Sequence, residues 1–285
     1  MSIQKLLVVG AGTMGGGIAQ TAANAGDTVF LHDAAPGAAE RARERIAQSL
    51  ERAMAKGYVT EEDKARILGN LHPVASLQDA REAHAVIEAV KEDLEVKQDI
   101  FAKLEEAFGE EVFLWTNTSM ISITLVAEKL RHPGRVAGTH FFNPVPRMQL
   151  VEVIPGKRTA ENTVRVAMET MRRWGKTPIL APDTPGFIVN RLFDAFLAEA
   201  LTLHEEGVSA EDMDTAIRLG LNFPMGPLEL MDLVGLDTVL DCGLSMARGM
   251  GRSEEEAAVS PTLRRLVREG KLGRKTGEGF YSYSK

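Results

Sequence analysis

The first half of the chain alternates short apolar runs with longer amphipathic stretches. The runs KLLVVGAG, TVFLHD, AHAVIEAV and EVFLWTNTS have the length and apolar content of buried strands. Between them, the spacing of apolar positions predicts helices over residues 14–25, 36–57 and 94–108. The segment TEED, residues 60–63, resembles a capping box with Asp in place of Glu or Gln, and it predicts the start of another short helix.

The pattern continues to residue 183 and then changes. VAGTHFF, MQLVEVI and KTPILAP predict three further strands, and residues 162–174 predict a helix. Strands that alternate with helices at this spacing favour a mostly parallel α/β sheet with right-handed crossovers. From DTPGF onward, to about residue 267, the chain has the pattern of helices separated by caps and breakers. We therefore predict an α/β domain over residues 1–183 and an all-α domain over residues 184–285.

Three glycines follow the first predicted strand and open the first predicted helix. Gly10, Gly12 and Gly15 form G-x-G-x-x-G, and Asp33 ends the second strand. This combination is the dinucleotide-binding fingerprint of a Rossmann-type domain, in which the helix N-terminus meets the pyrophosphate and the acid meets a ribose 2′-hydroxyl. Asp33 would repel a 2′-phosphate, which favours NAD over NADP. This motif alone leaves FAD open, and a glycine-rich turn without a ligand is the weaker alternative.

Composition narrows the class of protein. The 285 residues are 44% hydrophobic and 26% charged, and the formal net charge of −7 disfavours a nucleic-acid partner. The single cysteine, Cys242, excludes a disulfide framework, fits a reducing cytoplasm, and is expected to be a buried, unreactive thiol. No spacing of Cys and His predicts a metal site. The N-terminus lacks the features of a signal peptide, and no apolar stretch is long enough to span a bilayer.

A histidine and a carboxylate lie inside two of the predicted strands. His140 and Glu152 are costly to bury unless they are used, and the twelve-residue offset is compatible with two neighbouring strands that bring them together. Oxidation of a secondary alcohol needs a base near working pH, which histidine provides, and an acid partner fixes its tautomer. The alternatives are a core histidine with satisfied hydrogen bonds and a glutamate on a solvent-facing strand edge.

Seven motifs occur in a fixed order along essentially the whole chain: GAGTMGGGIA, EAVKEDLEVKQDIF, NTSMISIT, HFFNPVPRMQLVEV, DTPGFIVNR, PMGPLELMDLVGLD and GRKTGEGFYSY. Together they resemble the L-3-hydroxyacyl-CoA dehydrogenase family, most closely the short 3-hydroxybutyryl-CoA dehydrogenases of bacteria. The resemblance implies NAD-dependent interconversion of (3S)-3-hydroxyacyl-CoA and 3-ketoacyl-CoA, a reaction of fatty-acid metabolism and β-oxidation. It also implies a cytoplasmic homodimer formed through the C-terminal domain, which would contribute to substrate binding and dimerisation.

The resemblance assigns roles to individual residues. The catalytic group is His140, Glu152, Ser119 and Asn190. The residues that line NAD are Gly10, Gly12, Thr13, Met14, Gly15, Asp33, Glu92, Lys97, Asn117, Ser119, Asn143 and Lys275. The residues that contact the CoA substrate are Ser49, Lys56 and Ser119. In this chain Met120 stands where the family usually has a second serine, which puts that serine's hydrogen bond in doubt.

Several features have alternative explanations. Lys97 and Asp93 are spaced as a solvated i, i+4 helix pair, which would explain Lys97 without a ligand. Ser119 and Asn190 could act only as local caps, and the charged helix that carries Ser49 and Lys56 could be a simple exposed helix. Two other functions also fit a dinucleotide-binding chain. One is a dehydrogenase of a CoA-free hydroxy or sugar acid, and the other is a non-catalytic relative.

Overall fold

The computed structural model describes residues 3–253 and 259–283. The chain divides into two compact units, residues 1–187 and 188–285. The first unit contains a sheet with helices, and the second is helical, so the fold class predicted from the sequence is confirmed. The predicted domain boundary after residue 183 stays a prediction.

The first unit is built on one eight-stranded sheet with the order β3-β2-β1-β4-β5-β6-β7-β8. Neighbouring strands run parallel except β6 and β7, which are antiparallel. The strands are β1 Lys5–Val9, β2 Thr28–His32, β3 Leu71–Pro73, β4 Ala85–Glu88, β5 Phe113–Thr116, β6 Val136–Phe141, β7 Leu150–Pro155 and β8 Thr177–Leu180. The sequence predicted all of these except β3, whose three residues are too few to give an apolar run.

The helices of this unit supply the crossovers that parallel strands require. They are α1 Thr13–Asn24, α2 Ala38–Ala55, α3 Glu61–Gly69, α4 Leu94–Ala107, α5 Ile123–Val126 and α6 Glu161–Arg173. α1 buries Ile18, Ala19 and Ala22, and it belongs to the same apolar core as the strand residues Leu6 and Val8. Its small side chains let the helix approach the sheet closely, which sets the position of its N-terminus beside the ends of β1 and β2.

The predicted capping box at the start of α3 is confirmed. The Thr60 hydroxyl accepts a hydrogen bond from the Asp63 backbone N–H at 3.0 Å, and the Asp63 carboxylate accepts one from the Thr60 N–H at 3.3 Å. These two bonds satisfy donors that the first turn of a helix leaves without partners. The helix start is therefore fixed by local sequence.

The end of α6 is anchored to the turn before β2 by a buried carboxylate. Asp27 is 1% exposed and accepts hydrogen bonds from both Arg173 guanidinium nitrogens and from the Trp174 indole N–H, each at 2.7 Å. Hydrogen bonds to a charged group each contribute roughly 1.5–3 kcal/mol. This cluster joins residues far apart in sequence and holds the last crossover helix against the sheet.

The second unit contains five helices in its described part: α7 Val189–Glu205, α8 Ala210–Gly220, α9 Pro227–Val234, α10 Leu236–Gly249 and α11 Pro261–Arg268. Leu197, Leu201, Met231 and Leu263 are members of its apolar core. The first turn of α9 is capped from a neighbouring helix, because Asp214 accepts hydrogen bonds from two backbone N–H groups of that turn, each at 2.9 Å.

The C-terminal segment of the second unit packs on Asp232. This buried carboxylate accepts hydrogen bonds from the backbone N–H groups of Phe280 and Tyr281 at 3.0 and 2.9 Å, and from the Tyr283 hydroxyl at 3.0 Å. A Cβ on Gly279 would lie 2.0 Å from the Asp232 Oδ1, so only glycine allows this approach. A Cβ on Gly273 would likewise lie 2.3 Å from the Asp232 carbonyl oxygen, so these two glycines of GRKTGEGFYSY are needed for packing.

One prediction about this unit was wrong. Cys242 is exposed, because it lies on a helix face that the core does not cover. Desolvation and the nearby carboxylates of Asp194 and Asp241 still raise the pKa of its thiol. Among the described residues, none of the helices combines the length and the apolar character needed to cross a bilayer.

Candidate active site

The glycine loop between β1 and α1 leaves open space at the helix N-terminus. Gly10 has a φ of +105°, and a Cβ there would lie 2.5 Å from the Ala89 carbonyl oxygen. A Cβ on Gly15 would lie 1.8 Å from the Gly10 carbonyl oxygen, whereas one on Gly12 would meet nothing within 4 Å. Gly10 and Gly15 are thus required by packing. Gly12 keeps clear a space into which the N–H groups of the first turn point, which fits a pyrophosphate.

Asp33 follows β2 and lies at the edge of the same space. Its Oδ2 accepts a hydrogen bond from the Ala11 N–H at 2.7 Å, and its Oδ1 accepts one from the Ala35 N–H at 2.9 Å. A carboxylate has further acceptor sites, which remain suited to ribose hydroxyls. Gly10, Gly12 and Asp33 line a cavity of about 630 Å³, hereafter the dinucleotide cavity. The residues present therefore fit an NAD molecule.

A buried ion pair lies at the carboxyl end of β4. The Lys97 side chain is 1% exposed, and its Nζ lies 2.7 Å from Glu88 Oε1 and 3.3 Å from Glu92 Oε2. Glu88 is fully buried and also accepts a hydrogen bond from the Thr116 hydroxyl at 2.6 Å. The alternative of a solvated pair between Lys97 and Asp93 is wrong, because the lysine turns inward to a strand residue.

Glu92 accepts several hydrogen bonds from the loop that carries Ser119. Its Oε1 accepts hydrogen bonds from the Ser119 N–H at 2.8 Å, the Ser119 hydroxyl at 3.2 Å and the Met120 N–H at 3.1 Å. Desolvation raises the pKa of Glu92, but Lys97 and the donors Thr118 and Ser119 outweigh it and leave the pKa lowered. Residue 120 contributes its backbone N–H here, so the exchange of serine for methionine leaves this contact intact.

His140 and Glu152 face each other across two strands. They are paired residues in the antiparallel ladder of β6 and β7, and His140 Nδ1 lies 2.7 Å from Glu152 Oε2. His140 is 5% exposed and Glu152 is fully buried, so the alternative of a solvent-facing glutamate is wrong. The rings of Phe142 and Phe187 lie 4.5 and 5.6 Å from the imidazole. The apolar rings exclude water and strengthen the hydrogen bond.

The pairing determines what the imidazole can do. An ionised carboxylate only accepts hydrogen bonds, so Nδ1 carries the hydrogen in the neutral imidazole and Nε2 keeps a lone pair. His140 can therefore take a proton at Nε2, and Glu152 stabilises the imidazolium that forms. This arrangement has the chemical capacity of a general base and, in its protonated form, of a general acid.

Asn117 and Asn143 lie in the loops that follow β5 and β6. Asn117 Oδ1 accepts a hydrogen bond from the Phe141 N–H at 2.9 Å, which ties the end of β5 to the residue after His140. Asn143 precedes Pro144 and lines a second cavity, of about 760 Å³.

This second cavity is bordered by cations. Ser49 and Lys56 line it as expected, and so do Arg45, Arg52 and Arg147, which the sequence reasoning missed. No carboxylate is among its lining residues in the described part of the chain, although the chain has a net charge of −7. We call it the cationic cavity. Positions 45, 49, 52 and 56 share one helical face, and this spacing was a signal in the sequence.

The remaining predicted residues lie in the second unit. Asn190 is in the first turn of α7. The Lys275 Nζ lies 2.5 and 2.6 Å from the two carboxylate oxygens of Asp237. The roles of Asn190 and Lys275 toward substrate and cofactor stay predictions.

Comparison with known proteins identifies relatives over the whole chain. The family described as "3-hydroxyacyl-CoA dehydrogenase, NAD binding domain" matches residues 5–184, and "3-hydroxyacyl-CoA dehydrogenase, C-terminal domain" matches residues 186–283. The chain is 43% identical to a probable 3-hydroxybutyryl-CoA dehydrogenase of Deinococcus radiodurans, over 98% of this chain and 100% of the relative. It is 40% identical to the 3-hydroxybutyryl-CoA dehydrogenase of Clostridioides difficile, over 99% and 100%.

A solved structure agrees with these relatives. The (S)-3-hydroxybutyryl-CoA dehydrogenase of Ralstonia eutropha matches the fold with a TM-score of 0.93, at 39% identity, over 100% of both chains. The resemblance found from the seven motifs is thereby confirmed, as is the NAD-binding domain. The chain belongs to the 3-hydroxyacyl-CoA dehydrogenase family.

Proposed function

We propose that this NAD-dependent 3-hydroxyacyl-CoA dehydrogenase interconverts (3S)-3-hydroxybutyryl-CoA and acetoacetyl-CoA, with His140 as the general base and acid. The observation that carries the proposal is the buried contact of 2.7 Å between His140 and Glu152. The short acyl chain is supported by the relatives of Deinococcus and Clostridioides, whose names specify 3-hydroxybutyryl-CoA.

The proton and the hydride leave the substrate for two different acceptors. His140 Nε2 takes the proton of the C3 hydroxyl while the C3–H bond breaks, and Glu152 stabilises the resulting imidazolium. NAD, when bound, supplies the hydride acceptor. In the reverse direction the imidazolium returns its proton to the C3 oxygen. Phe142 and Phe187 keep the imidazole in an apolar environment, where its contact with the carboxylate is strong.

The C3 oxygen needs hydrogen-bond donors because negative charge develops on it during reduction. We assign this task to Ser119 and Asn190. The loop of Ser119 is held by Glu92, which accepts hydrogen bonds from both its N–H and its hydroxyl. The Ser119 hydroxyl therefore serves the substrate after rotation away from Glu92.

NAD is held by the dinucleotide cavity. The N–H groups at the start of α1 and the open space at Gly12 suit the pyrophosphate, and Asp33 suits the ribose 2′-hydroxyl. A 2′-phosphate would meet the Asp33 carboxylate, so NADPH is a poor cofactor. Thr13 and Met14 belong to the same first turn. Lys97 acts indirectly, through Glu92.

The CoA part of the substrate belongs in the cationic cavity. CoA carries a diphosphate and a 3′-phosphate, and such polyanions are bound by clustered Arg and Lys side chains. Arg52, Lys56 and Arg147 form no hydrogen bond or ion pair through their side chains with other residues in the described ranges, so they are available to phosphate. Ser49 lines the same cavity and adds a neutral donor.

The second unit and the composition support proposals on assembly and location. Four large apolar side chains of this unit, Leu192, Leu219, Leu221 and Phe223, are between 45% and 82% exposed. A homodimer formed through this unit would cover them. Light scattering on a size-exclusion column tests the dimer, and a monomer mass would contradict it. The single cysteine fits the reducing cytoplasm as its location.

The decisive experiment measures the loss of NADH absorbance with acetoacetyl-CoA, with free acetoacetate and with NADPH. We expect turnover only with acetoacetyl-CoA and NADH. His140→Gln should lower kcat by roughly 100- to 10,000-fold, the usual effect of removing a general base, with unchanged NADH affinity. Turnover of free acetoacetate would contradict the CoA requirement, and near-normal activity of His140→Gln would contradict its assignment as the base.

A further inference from the structure

The glycine loop is a wall shared by the two cavities. Gly12 and Thr13 line the dinucleotide cavity on one side and the cationic cavity on the other. A change in the loop therefore alters both sites. The side chains that hold the loop in place therefore determine how strongly one site responds to the other.

The backbone of Ala11 is held from two sides, through the peptide groups before and after its Cα. Its N–H donates to Asp33 Oδ2 at 2.7 Å, and its carbonyl oxygen accepts a hydrogen bond from the Arg45 guanidinium at 2.8 Å. Ala11 stands between Gly10 and Gly12, and glycine restricts backbone rotation less than any other residue. The burial of Ala11 and the Gly10 N–H bond to the His32 carbonyl at 2.8 Å also hold the loop. The hydrogen bond from Arg45 is the contact among these that comes from a side chain in the cationic cavity.

Arg45 has donors left for a second partner. A guanidinium carries five N–H groups in a planar fork, and no other hydrogen bond or ion pair joins this side chain to a residue in the described ranges. Arg45 is exposed on α2 and lines the cationic cavity. It therefore touches the glycine loop with one nitrogen while its remaining N–H groups are free for an anion in that cavity.

We propose that Arg45 is a positioning residue that couples CoA binding to NAD binding. Phosphate oxygens in the cationic cavity accept its free N–H groups and confine the side chain, which then holds the Ala11 carbonyl firmly. The loop is thereby kept in its dinucleotide-binding conformation, and NAD binds more tightly. By thermodynamic linkage, NAD tightens CoA binding by the same factor. The inference rests on the proposed assignment of the cationic cavity to CoA.

Arg52 provides a matched control. It lies seven positions after Arg45 on the same helix, lines the same cavity and is also exposed. It has no hydrogen bond to the glycine loop among the described contacts. Arg45→Met and Arg52→Met remove the same charge from the same cavity, but only the first removes the link to Ala11.

The experiment measures the Kd of NADH by its fluorescence, with and without saturating CoA, which has no acyl group to react. In the wild type we expect CoA to lower the Kd of NADH by about fivefold or more, the usual lower range of allosteric coupling. Arg45→Met should bring the ratio of the two Kd values close to one. Arg52→Met should weaken CoA binding, and at saturating CoA it should keep the wild-type ratio.

Calorimetry with CoA alone tests the CoA site separately from the role of Arg45. If CoA does not bind the wild type, the assignment of the cationic cavity is wrong and the coupling falls with it. If CoA binds but leaves the Kd of NADH unchanged, or if Arg45→Met keeps the wild-type ratio, the role of Arg45 is wrong and the CoA site stands. Where Arg45→Met binds NADH too weakly to measure, Arg45→Lys replaces it. Lysine lacks the planar fork, so its ratio should fall below the wild-type value, and an equal ratio would overturn the proposal.

Discussion

The two cavities on either side of the glycine loop are built by different means. The pyrophosphate end of the dinucleotide cavity depends on backbone: Gly10, where a Cβ would not fit, and the N–H groups of a helix start. Beside them lies the Asp33 carboxylate, which is already bonded to two backbone N–H groups. The cationic cavity is formed by the ends of long side chains on α2 and on the loop after β6, and several of these have no partner in the described part of the chain. The groups that would meet the ligand are therefore held by many local contacts in the first cavity and by few in the second.

The largest effect on stability is expected from the buried ion pair of Lys97 and Glu88, which lies near the dinucleotide cavity. Lys97→Met leaves the Glu88 carboxylate buried with no cation beside it, and the removal of one partner from a buried pair costs about 3–5 kcal/mol. Denaturant unfolding of the variant measures this loss. The double variant Lys97→Met, Glu88→Gln should recover much of the stability, because no charge remains buried. A loss below about 1 kcal/mol would show that the pair behaves as a solvated one.

A smaller effect separates two glycines of the same loop. Gly15→Ala forces a Cβ onto the Gly10 carbonyl, and such overpacking costs about 1–3 kcal/mol, seen as a lower Tm and weaker NADH binding. Gly12→Ala meets no protein atom, so the Tm should stay unchanged while NADH affinity falls. Thermal melts and NADH titrations measure both. A fall in Tm for Gly12→Ala equal to that of Gly15→Ala would contradict the view that this glycine is reserved for the ligand.

The smallest effect is expected in the cationic cavity, which several side chains line together. Lys56→Met removes one of several cations, so the KM for acetoacetyl-CoA should rise about tenfold, equivalent to about 1.4 kcal/mol, with kcat unchanged. Added salt should raise this KM in the wild type, because exposed charges are screened, and should change the Kd of NADH less. Steady-state kinetics at two ionic strengths provide the measurement. If salt changed the KM for acetoacetyl-CoA and the Kd of NADH by the same factor, the distinction between the two cavities would be wrong.

The contrast between local features and features built by several elements also explains what the sequence could predict. The glycine loop and Asp33 follow from short-range spacing, so they were predictable. The capping box at Thr60 is equally local. Features of this kind need no knowledge of what lies on the next element. The offset of His140 and Glu152 was compatible with neighbouring strands, but their pairing depends on the antiparallel register of β6 and β7, which spacing does not give.

Other features depend on neighbours that spacing cannot reveal. Lys97 has a carboxylate at i−4, yet it turns inward because Glu88 lies at the end of an adjacent strand. Cys242 was expected to be buried, and it is exposed because the core of the second unit lies on another face of its helix. The face shared by Arg45 and Arg52 was visible as a spacing, but only the fold makes it a cavity wall.

The double backbone contact of Asp33 has a consequence for changing the cofactor. Redesign of such a site for NADPH begins by removing the acid, to relieve its repulsion of the extra phosphate. Here that step also removes the acceptor of the Ala11 and Ala35 N–H groups, each bond being worth about 1.5–3 kcal/mol. Asparagine would keep one acceptor and turn a donor toward the other N–H. The proposed preference for NAD is therefore tied to the integrity of the loop, because the first step toward NADPH costs it two hydrogen bonds.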